Sequence, residues 1–231
     1  MKRLMLAALL AALAVPTLAS AQLSLGLRAG YGFPMGDAYE QSGFGTFKQS
    51  GLAKGQVPLQ ADASWRLGDR LSAGLYYGYG FGQSGSKLKE LCSTPGASCD
   101  SPSFTRFGAQ AAYAFTGGAT VEPWLGLSIG LQSASFKVKN FVYGVIPGPT
   151  PTPLTSDLKG TLRGWEAGLE GGADYRVSSA FLVGPFLSFA CGQYTVEDVS
   201  IAALGNVAGG GVTNAKTHQW LTLGVRGRYD L

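Results

Sequence analysis

From Leu23 the chain alternates. Leu23, Leu25, Leu27, Ala29, Tyr31 and Phe33 are apolar or aromatic, while Ser24, Gly26, Arg28, Gly30 and Gly32 between them are small or charged. A period of two is the signature of a strand with one apolar face. This one runs for about 11 residues, where soluble strands usually stop at about 5–6. The pattern recurs seven more times. Val57, Leu59, Ala61, Ala63, Trp65 and Leu67 share a face, and Gly68-Asp69 turns the chain into Leu71, Ala73, Leu75, Tyr77, Tyr79 and Phe81. Further apolar faces run Phe107–Phe115, Val121–Leu131, Trp165–Val177, Phe181–Phe189 and Leu221–Leu231. The connections alternate between short ones near 68–70, 116–120 and 178–180 and long ones near 34–55, 82–103, 136–161 and 194–217.

An even number of long strands with alternating short and long connections predicts an eight-stranded antiparallel transmembrane β-barrel, with short periplasmic turns and long extracellular loops. A soluble barrel would turn its apolar face inward instead. Three features favour the membrane form. The polar face is mostly Gly, Ser and Ala, which suits a narrow interior better than a solvated surface. Tyr31, Phe33, Tyr79, Phe81, Phe107 and Trp165 cluster toward one set of strand ends, and Trp65, Tyr113, Phe115, Tyr175, Phe181 and Tyr229 toward the other, as in the aromatic belts of membrane interfaces. Lastly, the chain opens like an exported protein. Lys2 and Arg3 precede an almost unbroken Leu/Ala run from Leu4 to Val15, and Ala19-Ser20-Ala21 follows. That run is shorter than the roughly 20 residues of a membrane helix. Residues 1–21 are therefore expected to be a cleaved signal peptide, and 22–231 a single barrel domain.

Composition narrows the picture further. Of 231 residues, 35 are glycine and only 14% are charged, against about 25% for ordinary soluble domains. Without Lys2 and Arg3 the chain carries 16 basic side chains and 14 acidic ones, no footprint for nucleic acid. No cofactor is expected. Gly30-Tyr31-Gly32, Gly78-Tyr79-Gly80 and Gly209-Gly210-Gly211 lack the helix and Lys-Ser/Thr that a phosphate loop needs. Three cysteines and one histidine lack zinc spacing. In an exported chain Cys92 and Cys99 are expected to form a disulfide within one loop, and Cys191, on the parity of Phe189, to face lipid. A serine nucleophile would need a base and an orienting partner. His218 has no such motif around it and is expected to be a polar residue at a loop edge, so no catalysis is expected.

The inward charges are the most informative group. Arg28, Asp62, Glu170 and Arg226 each lie about six residues from the periplasmic end of their strand, a shared level at about 3.3 Å per residue. Arg66, Asp174, Arg176 and Arg228 fall lower. Such charges in a narrow interior must pair, as a structural plug or, alternatively, as a polar pathway.

The Ala21-Gln22 start, the glycine-and-aromatic strands and the ending Leu223-Gly224-Val225-Arg226-Gly227-Arg228-Tyr229-Asp230-Leu231 resemble the small outer-membrane β-barrel superfamily, the OmpX-, OmpW- and OmpA-transmembrane-like proteins. The resemblance covers residues 22–231 and is specific for architecture. It implies the outer membrane of a Gram-negative bacterium. The partners it implies are outer-membrane lipid, lipopolysaccharide and the insertion machinery, which reads a terminal aromatic. Tyr229 fits that pattern and Leu231 departs from it. A monomer is expected. Two roles are open: a structural or surface-interaction role, with an extracellular ligand of the loops, or a narrow passage for small molecules, hydrophobic ones included.

Overall fold

Long antiparallel strands dominate a computed structural model that describes residues 22–41, 45–147, 150, 152–212 and 214–231. The expected signal peptide lies outside the described residues, as do positions 148, 149 and 151 of the proline-rich loop. Eight strands form the wall: β1 (Gln22–Gln41), β3 (Ala53–Leu67), β4 (Leu71–Ser84), β6 (Ser103–Ala114), β7 (Val121–Ile146), β8 (Thr152–Arg176), β9 (Phe181–Ile201) and β12 (Thr217–Asp230). Each pairs antiparallel with the next, and β12 closes on β1 through Leu25↔Tyr229 to Gly36↔His218. Closure leaves the wall without a free edge, the condition for a sheet to cross a bilayer. Four short strands and two helical turns decorate one end: β2 (Gly45–Lys48), α1 (Gln49–Leu52), α2 (Ser86–Leu91), β5 (Ser98–Cys99), β10 (Gly205–Gly211) and β11 (Asn214–Ala215). At the other end the turns are tight. Gly68 takes φ +76° with open space around it, the left-handed geometry that glycine enters without penalty.

The apolar faces point outward. Leu27 is 69% exposed and Leu127 64%, while Arg28, Glu170 and Arg226 are buried inside. Along β7 the outward residues are Val121, Pro123, Leu125, Leu127, Ile129 and Leu131. Ten steps of about 3.3 Å, tilted by roughly 40°, give about 25 Å, the height of an outer-membrane apolar band. Tyr31 and Phe33, and likewise Tyr79 and Phe81, pair edge to face at 4.9 Å on its outer rim. Tyr113 and Phe115 do so at 5.5 Å on its periplasmic rim. Cys191 lies on the outward parity, half-buried, in register with Ala167 and Gln219.

Above that band the structure departs from the sequence expectation. Stretches read as loops are strands: β1 runs on to Gln41, β7 to Ile146, β8 starts at Thr152, and β9 reaches Ile201 and turns back as β10. The reason is an inversion of polarity. Beyond Leu131 the outward residues of β7 are Ser133, Ser135, Lys137 and Lys139, and buried Ala134 and Val138 point inward. On β8 the switch falls between Trp165 and Arg163, with Leu162 buried behind. The period of two continues, but with apolar side chains inside and polar ones in water, as in a soluble barrel. Ala38, Ala53, Phe104, Ala134, Leu162, Tyr194 and Trp220 make the core of this outer half.

Candidate functional site

The barrel interior brings twelve charges together. Arg28, Arg66, Arg106, Arg176, Arg226 and Arg228 face Asp62, Glu122, Glu166, Glu170, Asp174 and Asp230. The two signs balance, which is what a narrow, low-dielectric space requires of buried charges.

Three layers stack along the axis. In the outermost, Arg106 Nε donates to both oxygens of Glu166, at 2.7 and 2.9 Å, and the Tyr76 hydroxyl donates to Glu166 Oε1 at 2.8 Å. Arg28 makes the middle layer alone with its acceptors. Its Nε donates to Asp62 Oδ1 at 3.0 Å, Nη1 to Glu170 Oε2, and Nη2 to Gln110 Oε1 at 3.0 Å. The periplasmic layer is the most crowded. Asp174 accepts from Arg226 Nη2 at 2.6 Å and from Trp124 Nε1 at 3.1 Å, and Arg228 reaches Glu122 at 2.8 Å and Asp230 at 3.0 Å. Arg176 pairs with Glu122, and Arg66 with Asp230 at 2.8 Å. The Arg226 and Arg28 guanidiniums lie 4.0 and 5.7 Å from the Trp124 ring, close enough for cation–π attraction. That contact helps two like charges coexist, for Arg28 and Arg226 are register partners across the β1–β12 seam.

Every charge singled out in the sequence lies in this interior, but the pairing differs from one shared mid-level quartet. Arg28 holds Asp62 and Glu170, whereas Arg226 pairs with Asp174 of the lower set. Counting from each strand's end ignores the stagger between strands. Gly184, the register partner of Arg226, abuts the backbone of Asp174. Glu122, Trp124 and Tyr76 were missed. Their signal was present, since all three occupy inward positions of alternating strands. Arg106, Glu166 and Asp230 were legible as inward but not as members of the network.

His218 corrects an expectation. It is buried at 1% exposure, stacked on Tyr194 at 4.2 Å, and its Nε2 accepts from the Gln132 side-chain amide. It enters the barrel because β12 already begins at Thr217, and the even-numbered residues of that strand face the interior along its whole length. Tyr194 accepts in turn from Gln49 Nε2 at 3.2 Å, so α1 is drawn into the outer mouth. Cys92 and Cys99 are joined, with Cα atoms 5.8 Å apart. Among the described residues, no three His, Cys, Asp or Glu side chains are grouped to hold a metal.

The open space is correspondingly broken up. A polar cavity of about 30 Å³ lies on the periplasmic side, lined by Asp62, Arg66, Gln110, Trp124 and Arg228. Another of about 20 Å³ lies beneath Arg106, lined by Gln60, Glu170 and Thr222. Arg28 borders both and stands between them. Above them the apolar core closes the bore.

Solved structures share this architecture. Neisserial surface protein A aligns over 90% of this chain and 97% of its own at 15% identity and a TM-score of 0.50. A major outer membrane protein from Thermus thermophilus aligns over 91% and 100% at 15% identity and 0.53. The outer membrane protein AlkL, solved in lipid bilayers, aligns over 91% and 90% at 10% identity and 0.51. The chain has the fold of the small outer-membrane β-barrels. No family model matches it, and no curated relative does. The outward apolar band, about 25 Å tall, has the height of the lipid-facing belt of such barrels.

Proposed function

We propose that this is a non-catalytic barrel of a Gram-negative outer membrane, with a structural or surface-interaction role carried by its extracellular end. The observation behind this reading is the closed bore. Balanced ion-pair layers occupy the membrane-embedded half, and an apolar core with Gln49, Tyr194 and His218 occupies the half above it. An eight-stranded barrel is narrow enough for side chains to fill, so the scaffold itself offers no route and specificity falls to the outer elements. Lipid and lipopolysaccharide are the surroundings of the apolar band, and Lys137, Lys159 and Arg163 project just above it toward the headgroup level. The barrel acts as a monomer.

A narrow passage is the second reading, supported by the two polar cavities on either side of Arg28. Planar-bilayer recording separates the two. The closed reading expects no steady conductance above that of the bare membrane. A stable open level, reproduced across insertions, would overturn it in favour of the passage.

A further inference from the structure

The charge layers balance as a whole, but one cavity among them is bordered almost entirely by cations. On the periplasmic side of the bore Arg28, Arg66, Arg70, Arg226 and Arg228 face it, against one carboxylate, Asp62. Asp62 is already committed, since its Oδ1 accepts from Arg28 Nε at 3.0 Å. Glu122, Glu170, Asp174 and Asp230, which pair with these arginines, do not border the space. Arg70 stands outside the balanced set. It is exposed in the turn after Gly68 and donates from Nη1 to the Tyr113 hydroxyl at 3.3 Å, not to a carboxylate. Its neighbour Asp69 is exposed to water and does not border the space either.

Arg226 is the group left short of acceptors. It is 6% exposed, and its Nη2 donates to Asp174 at 2.6 Å. Its Nε is buried without a partner, and its Nη1 has none among the described residues. Buried donors left unpaired are costly. Like charges add to that cost. Arg226 is the register partner of Arg28, and Arg228 is the next inward residue of β12. Same-sign residues directly opposite on neighbouring strands destabilise a sheet. The Trp124 ring, 4.0 Å from the Arg226 guanidinium, offsets part of this. The lining also holds a spare hydroxyl proton, because Ser64 Oγ accepts from Gln110 Nε2 at 3.5 Å and remains free to donate. The space measures about 30 Å³, room for about two waters or one halide ion.

We propose that this cavity binds one chloride ion. A monatomic anion accepts N–H and O–H groups from any direction, so it would meet the unspent Nη1 of Arg226 and the Ser64 hydroxyl together. Its charge would also offset the repulsion among Arg28, Arg226 and Arg228, which a water in the same place leaves standing. The room selects chloride or bromide over a bulky organic anion such as gluconate. Chloride would thus be a structural ligand of the periplasmic layer, a role separate from whether the bore conducts.

The protein is refolded in detergent micelles and crystallised from sodium bromide, and bromide is located by anomalous diffraction at its absorption edge. One peak is expected inside the cavity, within hydrogen-bond distance of Arg226. In parallel, urea unfolding in phosphatidylcholine vesicles is followed as sodium chloride replaces sodium gluconate at constant ionic strength. Above half-saturation, each tenfold rise in chloride should raise the folding equilibrium constant about tenfold, as one site specific to the folded state requires. Ala112→Val puts methyl groups into the space, since Ala112 lines it, and should abolish the chloride dependence. Arg70→Gln, on the exposed turn, should raise the half-effect chloride concentration by about threefold, the scale of one exposed charge. Heat-modifiable gel mobility checks that each variant folds, and if Ala112→Val does not, the bromide map and Arg70→Gln decide the matter. A cavity holding only water in bromide crystals, bromide on the outer surface as an adventitious ion only, equal unfolding in chloride and gluconate, or an unchanged chloride effect in folded Ala112→Val would each overturn the proposal.

Discussion

Replacing Arg28 by Met removes the one cation of the middle layer and leaves Asp62 and Glu170 facing each other across the bore. Arg28 is 6% exposed and donates to both carboxylates and to Gln110. Breaking a buried pair by deleting one partner typically costs about 3–5 kcal/mol, because the survivor stays charged and desolvated. Here two carboxylates survive, which pushes the cost up, while the cavities on either side of Arg28 admit water and pull it down. A loss of about 3–4 kcal/mol follows. The triple variant Arg28→Met, Asp62→Asn, Glu170→Gln makes the whole group neutral and strands no ion. It should recover most of that loss, since neutral replacements of a buried ion group are often tolerated. Reversible urea unfolding in lipid vesicles, followed by tryptophan emission, measures both variants. Trp124 lies 5.7 Å from the Arg28 guanidinium and reports on the layer directly. A single variant that loses under about 1 kcal/mol, well below the cost of a stranded buried charge, or a triple variant no more stable than the single, would refute the electrostatic account of the interior.

Further outcomes can be checked alongside. Leu127→Arg, in the middle of the apolar band, should cost about 2–4 kcal/mol, and Ser135→Arg, above it, about 0–1, by the same unfolding assay. Thiol labelling under denaturing, non-reducing conditions should find one reactive cysteine, Cys191, and reduction of Cys92–Cys99 should leave the β-sheet circular dichroism of the barrel unchanged, because the bridge closes a segment outside the eight-stranded wall. On the exposed stretch of β7 and β8 above the apolar band, the hydrogen bond from Lys137, with that of the Asn140 N–H, holds the Asp157 carboxyl below its ordinary 3.8. A depressed carboxylate contributes stability that is present above the unfolded value and lost as pH falls through the folded one. Amide protection at Lys139, Asn140 and Ser156 should therefore drop on acidification below that range, and Lys137→Gln should reduce the pH dependence. Glu170→Ala should lower stability without opening a conductance in planar bilayers, because the apolar core of Ala134, Leu162 and Trp220 still stops the bore.

Much of the barrel was legible because the bilayer imposes one rule on every strand. The odd-numbered parity of β7, held by Val121, Leu125, Leu127, Ile129 and Leu131, shows in the sequence because lipid demands an apolar residue at each outward step. The rule reverses at Ser133, where water replaces lipid, and a search for outward apolar residues reads the continuing strand as loop. His218 was hidden because the apolar alternation marks the last strand only from Leu221, whereas β12 begins at Thr217 and the even parity that turns Arg226 inward turns His218 inward onto Tyr194. Inward charges could be recognised one by one, since each stands out among glycine and serine. Their partners could not, because partnership depends on the stagger between strands, which parity does not encode. Trp124 illustrates the limit. Its parity marks it as inward, but only closure of the ring puts its indole N–H on Asp174 and its face against Arg226. The loop disulfide was half legible: spacing suggested the Cys92–Cys99 bridge, but not that Cys99 would lie in β5, paired with β7.

The polarity inversion on β7 carries the account of a barrel seated in lipid with a closed outer half standing above it, and depth-resolved spin labelling tests it most directly. Nitroxides are placed one at a time at the outward positions Leu125, Ile129, Ser133 and Lys137 in lipid vesicles, and their collision rates with oxygen and with a water-soluble nickel complex are compared. Labels at Leu125 and Ile129 should be rich in oxygen and shielded from nickel, and the ratio should cross over between Leu131 and Ser133, leaving the label at Lys137 nickel-accessible. Oxygen-rich labels at Ser133 and Lys137, or nickel access at Ile129, would contradict it.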